Sequence, residues 1–222
     1  MIKKTTLLTG GSRSGKSGHA LKLSEKYSKK LFLATAEPLD DEMQERIKRH
    51  QAERGKDWTT LEEPLDVTKV LKKEFKDNEV LVLDCITLWL SNLIMNGADR
   101  ETILTKLHRF IEECKNSKGH IIVITNELGS GIIPMDASVR AFRDVAGEAN
   151  QILASEFDEV INMVSGIPVV IKSTSHTNED ELKPSDSEHE FSPQKKQGLY
   201  EAIYKRRDIR HFNSKKVDPA AL

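Results

Sequence analysis

The sequence is poor in cysteine, in long apolar runs and in net charge, and each shortage closes off a class of protein. Only Cys85 and Cys114 occur among 222 residues. They stand apart, without CxxC or Cys/His ligand spacing, which argues against a zinc site and for a reducing compartment where both are buried thiols. No stretch approaches the roughly 18 apolar residues of a membrane span. The opening "MIKKTTLLTGG" reaches glycines before it forms the apolar core of a signal peptide. A soluble, cytoplasmic protein is expected. Lys and Arg total 34 against 35 Asp and Glu, a formal charge of -1, so the overall balance gives no electrostatic reason to expect a nucleic-acid partner. No internal repeat is visible.

Three short apolar runs are bounded by turn or polar residues: "TTLLT" (5–9), "EVLVLD" (79–84) and "HIIVITN" (120–126). They are apolar at consecutive positions rather than alternate ones, as in strands buried on both faces of a parallel sheet. "LFLAT" (31–35) adds a strand, and "EVINMVSGIPVVIK" (159–172) reads as a hairpin turning at Gly166. Between them, Ser17 to Lys29, Asp40 to Arg54, Val67 to Phe75, Leu88 to Met95, Arg100 to Asn116 and Val139 to Glu156 show helical apolar spacing. Strands alternating with helices imply right-handed βαβ units and a doubly wound α/β fold.

Residues Gly10, Gly11, Ser12, Arg13, Ser14, Gly15, Lys16 and Ser17 match G-x-x-x-x-G-K-[ST], with a strand before and a helix after. Glycines there let successive N–H groups turn inward around a phosphate with no Cβ in the way. Lys16 adds a point charge for the terminal phosphates, Ser17 a hydroxyl for Mg²⁺, and the following helix its positive end. The acidic partner such a loop requires is expected at the end of a neighbouring apolar strand, the position of Asp84 in "LVLDC". Asp84 also suits the cap of a helix beginning near Thr87. No N-K-x-D guanine-reading tetrad follows the third strand, where "TNELGSG" stands, so a Ras-like switch is not expected. A small-molecule kinase, a nucleotidyl transferase and a RecA-like ATPase remain.

At 100° per residue, Met43, Ile47, His50 and Arg54 share a stripe with Arg46 beside it. Spacing alone favours a solvated basic face with a partly buried histidine. The alternative is a surface for anionic phosphates, because guanidinium forks match phosphate oxygens and imidazole serves as base or nucleophile. In "NELGSGIIPMD" (126–136), an ordinary strand-to-helix connection and a substrate-binding role stand even. Arg140 and Arg143 on the next helix suit ion pairs better than phosphate.

Taken together, "TGGSRSGKS", "LDDEMQERIKRHQAER", "LVLDCITLWLSN" and "VITNELGSGIIPMDASVRAFRDVAGEANQILA" resemble the bifunctional adenosylcobinamide kinase / adenosylcobinamide-phosphate guanylyltransferase family over about residues 1–172. The resemblance implies a RecA-like P-loop NTPase fold with helices on both faces of a mostly parallel sheet. It implies a homo-oligomer, commonly a trimer. It also implies phosphorylation of adenosylcobinamide by ATP or GTP, then transfer of GMP from GTP to adenosylcobinamide phosphate. His50 is thereby implied as the guanylylated residue and Lys16 as its catalytic companion. Nucleotide contacts fall on Gly10 to Ser17, on Ala34, Thr35 and Ala36, on Gln51, Ala52, Glu53 and Arg54, and on Glu62 and Asp84. Ser17 and Asp84 are implied to hold Mg²⁺. The alternatives are a P-loop small-molecule kinase without guanylyl transfer and a nucleotide-driven assembly ATPase.

After Lys172 the composition changes. Residues 173–197 are rich in Ser, Asp, Glu, Pro and Lys, and are expected to form a disordered linker. Within 198–222, "LYEAIYKRRDIRHF" resembles the opening helix of nitroreductase-like dimethylbenzimidazole synthases, with Arg206, Arg207 and Arg210 on the matching positions. A truncated fragment of that fold, without FMN binding, is expected.

Overall fold

The computed structural model describes residues 3–38, 41–55, 57–131 and 133–174, apart from the side chains of Glu42, Met43, Arg46, Arg49, His50, Ala52 and Glu53. Seven strands form a sheet: β1 (Lys4–Thr9), β2 (Lys30–Ala34), β3 (Trp58–Glu62), β4 (Val80–Asp84), β5 (His120–Ile124), β6 (Glu159–Val164) and β7 (Ile167–Ser173). Their order across the sheet is β3-β2-β4-β5-β1-β6-β7. All pairings are parallel except the last, the β6–β7 hairpin. β5 lies between β1, which feeds the phosphate loop, and β4, which ends at Asp84. This is the mostly parallel, RecA-like P-loop arrangement.

The helices are α1 (Lys16–Ser24), α2 (Asp41–Arg54), α3 (Val67–Glu74), α4 (Ile86–Met95), α5 (Arg100–Asn116) and α6 (Ala137–Glu156). Both sheet faces are covered. On one, Leu7, Leu33, Leu83, Ile121 and Val123 pack against Trp89 and Leu90 of α4, Leu107 and Phe110 of α5 and Leu153 of α6. On the other, Leu8, Phe32, Val82, Ile122 and Ile124 pack against Ala20 of α1, with Tyr27 and Trp58 at the margin. Two buried faces explain why β1, β4 and β5 read as unbroken apolar runs. Cys85 and Cys114 are both buried, as expected.

Several boundaries differ from the sequence reading. α1 stops at Ser24 rather than Lys29: the Ser24 hydroxyl donates to Ala20 O at 2.8 Å, and Glu25 N turns to Lys22 O. Such back-bonding competes with helix continuation. α4 starts at Ile86, with Cys85 as its cap residue and no side-chain cap bond, so Asp84 does not cap it. β3 had no counterpart in the sequence reading. Among the described residues it is an edge strand paired only with β2, and Thr59 and Thr60 are exposed, so it never presents a continuous apolar run. At the other end β7 runs through Ser173, and Thr174 N donates to Asp158 O at 3.0 Å. Chain contacts divide the protein into Met1–Ser175 and His176–Leu222. The linker beyond Thr174 and the tail at 198–222 lie outside the described residues.

Candidate active site

Parallel pairing brings strand ends to one edge in register: Glu62 opposite Ala34, Ala34 opposite Asp84, Asp84 opposite Ile124, and Ile124 opposite Leu8. The loop after β1 therefore rises beside the acidic end of β4. In open α/β sheets, ligands bind along this edge.

Gly10 and Gly15 have φ of 139° and 92°, and Gly15 is the left-handed residue that opens α1 without a side-chain cap. A Cβ on Gly10 would lie 2.5 Å from Met163 O, so any other residue displaces backbone. The hairpin turn braces the loop from the opposite side, with Gly166 N donating to Ser14 O at 3.0 Å. Gly11, Ser12 and Arg13 form the exposed crest, whereas Ser14 and Lys16 are buried. Lys16 Nζ folds into the loop and donates to Gly10 O at 3.0 Å and Gly11 O at 2.6 Å. Gly10 O also accepts from Glu127 N at 3.0 Å, tying the β5 end to the loop.

The hydroxyl of Ser17 donates to Asp84 Oδ2 at 2.7 Å. This single bond joins the two residues expected to hold a metal. Beside it, Thr35 N donates to Asp84 O, and the Thr35 hydroxyl donates to Cys85 O at 2.8 Å while accepting from Cys85 N. Asn92 of α4 locks this corner, its amide donating to Thr35 O at 2.8 Å and Pro64 O at 3.2 Å. Asn92 escaped the sequence reading, since a polar residue inside a helix gives no signal of the carbonyls it serves. On the β5 side, Thr87 accepts from Asn126 N, and Asn150 bridges the Thr125 hydroxyl and Asn126 O.

α2 carries the second half of the predicted site. Gln51 donates to Glu62 Oε1 at 3.1 Å. Arg54 is 8 % exposed, its guanidinium carbon 3.9 Å from the centre of the Phe32 ring. The predicted basic face is therefore not wholly solvated: its last arginine is drawn onto the sheet by a cation–π contact. His50 lies on α2 in the same turn as Gln51, while its side chain, with those of Ala52 and Glu53, lies outside those described. Ala34 and Ala36 are half-buried at the β2 exit. Arg140 makes no ion pair among the described residues and instead donates to Pro134 O and Met135 O, while Arg143 meets Asp144 at 3.3 Å.

Among the described residues no group of three or more His, Cys, Asp or Glu gathers for a metal. A hydroxyl and a carboxylate in contact nonetheless suit Mg²⁺, which takes one or two protein oxygens and completes its shell with phosphate oxygens and water.

The bifunctional adenosylcobalamin biosynthesis protein CobU of Escherichia coli is 38% identical over 178 residues, covering 75% of this chain and 98% of that protein. CobP of Pseudomonas aeruginosa, with the same bifunctional description, is 37% identical over 167 residues, covering 75% and 96%. A KaiC-like protein from Pyrococcus horikoshii superposes with a TM-score of 0.42 at 16% identity, covering 72% of this chain and 70% of its own. The family described as cobinamide kinase / cobinamide phosphate guanyltransferase matches residues 6–171. The phosphate loop, the acidic end of β4 and α2 all fall inside that span, and this chain belongs to the cobinamide kinase / cobinamide phosphate guanyltransferase family.

Proposed function

We propose that the chain phosphorylates adenosylcobinamide and then guanylylates the product in cobalamin biosynthesis, with both reactions at the sheet edge that carries the phosphate loop. The observation that supports this most directly is the Ser17–Asp84 bond beside the buried Lys16, because it assembles charge, hydroxyl and carboxylate around one phosphate-sized turn. In the kinase step, Gly10 to Ser17 and Lys16 hold the β- and γ-phosphates of ATP or GTP. The aminopropanol hydroxyl of the acceptor attacks the γ-phosphorus, the bond to the nucleoside diphosphate breaks, and the hydroxyl proton leaves. Positioning and charge neutralisation suffice for this chemistry. Ser17 and Asp84 would hold Mg²⁺, which supplies positive charge to the phosphate oxygens.

In the second step, a neutral His50 nitrogen attacks the α-phosphorus of GTP and pyrophosphate departs, leaving a phosphoramidate. The phosphate oxygen of the acceptor then attacks that phosphorus, the P–N bond breaks and the imidazole is regenerated. Splitting one displacement into two is ordinary covalent catalysis. Ala34, Thr35, Ala36, Gln51, Ala52, Glu53, Arg54 and Glu62 are assigned to the nucleotide. The Gln51–Glu62 bond favours this assignment for α2, since Glu62 lies in register with Ala34 and Asp84 at that edge, while the Arg54–Phe32 contact seats the end of the helix over β2.

GTP labelled separately at its α and γ positions tests the proposal. Acid-labile, alkali-stable α-label on the protein, lost in His50→Ala, supports guanylyl transfer. Label passing only from γ to cobinamide reduces the protein to a kinase, and phosphate release without an acceptor makes it an ATPase.

Self-association, with three copies as the expected number, has a candidate surface in β7. Among the described residues that strand has no neighbour on its outer edge, and it exposes Ile167, Val169, Val170 and Ile171; edges of this kind are ordinarily covered. Sedimentation of the full chain tests it. Two buried cysteines that form no described disulfide accord with a cytoplasmic location. No helix among the described residues is long and apolar enough to cross a membrane. Ser173 and Thr174 belong to the β7 end, so the linker is assigned to residues 175–197, and 198–222 to a segment that resembles the opening helix of nitroreductase-like proteins.

A further inference from the structure

The proton that the acceptor hydroxyl gives up in the kinase step needs a carrier, and several carboxylates at this sheet edge are already engaged. Asp84 accepts from Ser17, and Glu62 from Gln51. Glu63 Oε1 accepts from Leu65 N and Asp66 N at 2.9 Å each. Glu37 follows β2, which β4 and β5 separate from β1. Glu127, just after β5, differs from all of these. It is exposed, its Oε1 accepts from Gly129 N at 2.6 Å, and its Oε2 has no partner among the described residues.

The backbone that carries Glu127 is fixed against the phosphate loop at successive atoms. Thr125 N donates to Leu8 O at 2.9 Å, Asn126 N to the Thr87 hydroxyl at 2.8 Å and Glu127 N to Gly10 O at 3.0 Å, while Asn126 O accepts from Asn150 at 3.0 Å. Gly10 O is also an acceptor of Lys16 Nζ, at 3.0 Å. A single oxygen thus bridges the Glu127 backbone and the ammonium that meets the terminal phosphates in loops of this kind. The carboxylate itself is oriented from the next turn of chain. A Cβ on Gly129 would lie 2.8 Å from Glu127 Oε1, so a side chain there pushes the carboxylate off its donor.

We infer that Glu127 is the catalytic base of the phosphoryl transfer, taking the proton of the acceptor hydroxyl as it attacks the γ-phosphorus. This rests on the cobinamide kinase reading of the site. Oε2 accepts the proton as the acceptor's O–H bond breaks. The freed oxygen forms the bond to the γ-phosphorus, and the electrons of the bond that breaks leave with the nucleoside diphosphate. The carboxyl group then returns its proton to water. A carboxylate that receives the hydroxyl proton is an established device in phosphoryl transfer. Guanylyl transfer makes no such demand, because a neutral imidazole nitrogen attacks phosphorus without releasing a proton. Glu127 therefore belongs to one of the two reactions and not to the other.

The test uses the full chain with Glu127→Gln, which keeps an acceptor for Gly129 N, and Gly129→Ala, which keeps the charge but displaces it. γ-Phosphoryl transfer from GTP to cobinamide, α-label bound to the protein from GTP alone, and KM for both substrates are measured side by side. Glu127→Gln is expected to slow γ transfer about 100-fold or more, with both KM values within about twofold and α-label appearing at the wild-type rate. Gly129→Ala is expected to slow γ transfer about tenfold or more. Transfer by Glu127→Gln within about threefold of wild type overturns the base. An equal loss of α-label also overturns it and makes the residue a support of the loop. Should Glu127→Gln fail to fold, unslowed transfer in Gly129→Ala overturns it alone. Wild type that transfers nothing from γ to cobinamide sinks the kinase reading and the base with it, whereas transfer that survives in both variants sinks only the base.

Discussion

His120 allows the most quantitative test of the fold. It opens β5 at the edge opposite the phosphate loop and is 3 % exposed, with Nε2 against the Thr6 hydroxyl at 2.9 Å and Nδ1 against the Tyr27 hydroxyl at 3.0 Å. Burial, followed by the charges of Lys4 and Lys26, lowers its pKa to about 4, against smaller opposing effects from Glu159 and Asp158. The unfolded chain therefore binds the proton more readily. The resulting stability is complete above the unfolded value of about 6.5 and is lost as pH falls toward the folded value. From about pH 7.5 to about pH 5 the loss attributable to this residue is about 2 kcal/mol, equivalent to a fall in melting temperature of about 4–8 °C for a domain of this size. Urea denaturation of wild type and His120→Gln at both pH values isolates it, since every other charged group is the same in both proteins. Wild type is expected to lose about 2 kcal/mol more than the variant over this interval. Equal losses, or a His120 ring titrating near pH 6.5 by NMR in the folded protein, would refute the reasoning.

Three further outcomes are expected. Gly10→Ala places a methyl group 2.5 Å from Met163 O at a φ of 139°. Equilibrium binding should show GTP affinity falling by about tenfold or more, with about 1–3 kcal/mol lost in unfolding experiments. Asp84→Asn keeps the shape around Ser17 but removes the charge, so single-turnover assays should show both transfer steps slowed on the order of 100-fold, with thermal stability little changed. Asn92→Leu deprives the carbonyls of Thr35 and Pro64 of their donor; a stability loss of about 1–3 kcal/mol is expected, and an unchanged denaturation midpoint would contradict the locking role.

The elements that the sequence announced are those whose signal is local. β1, β4 and β5 are buried on both faces, so each appears as a block of apolar letters, and the phosphate loop spells its glycines and lysine within eight positions. Asp84 was legible as the last residue of such a block. β3 was not, because Thr59 and Thr60 face water and Trp58 gains its meaning only from Phe32, whose ring centre is 5.9 Å away. Arg54 was read as a basic face, since nothing near it in sequence reveals that α2 ends over β2. His120 was legible as the start of a strand, but its partners Thr6 and Tyr27 lie far off in the chain. Long-range pairing is what the one-dimensional pattern lacks.

The bond between Gly166 N and Ser14 O has a mechanical side. It fastens the phosphate loop, at the buried residue before Gly15, to the bend of the β6–β7 hairpin, whose outer strand is the margin of the sheet among the described residues. The hairpin bend and the phosphate loop therefore share a backbone bond, so a substitution that shifts Gly166 also shifts the carbonyl next to Gly15.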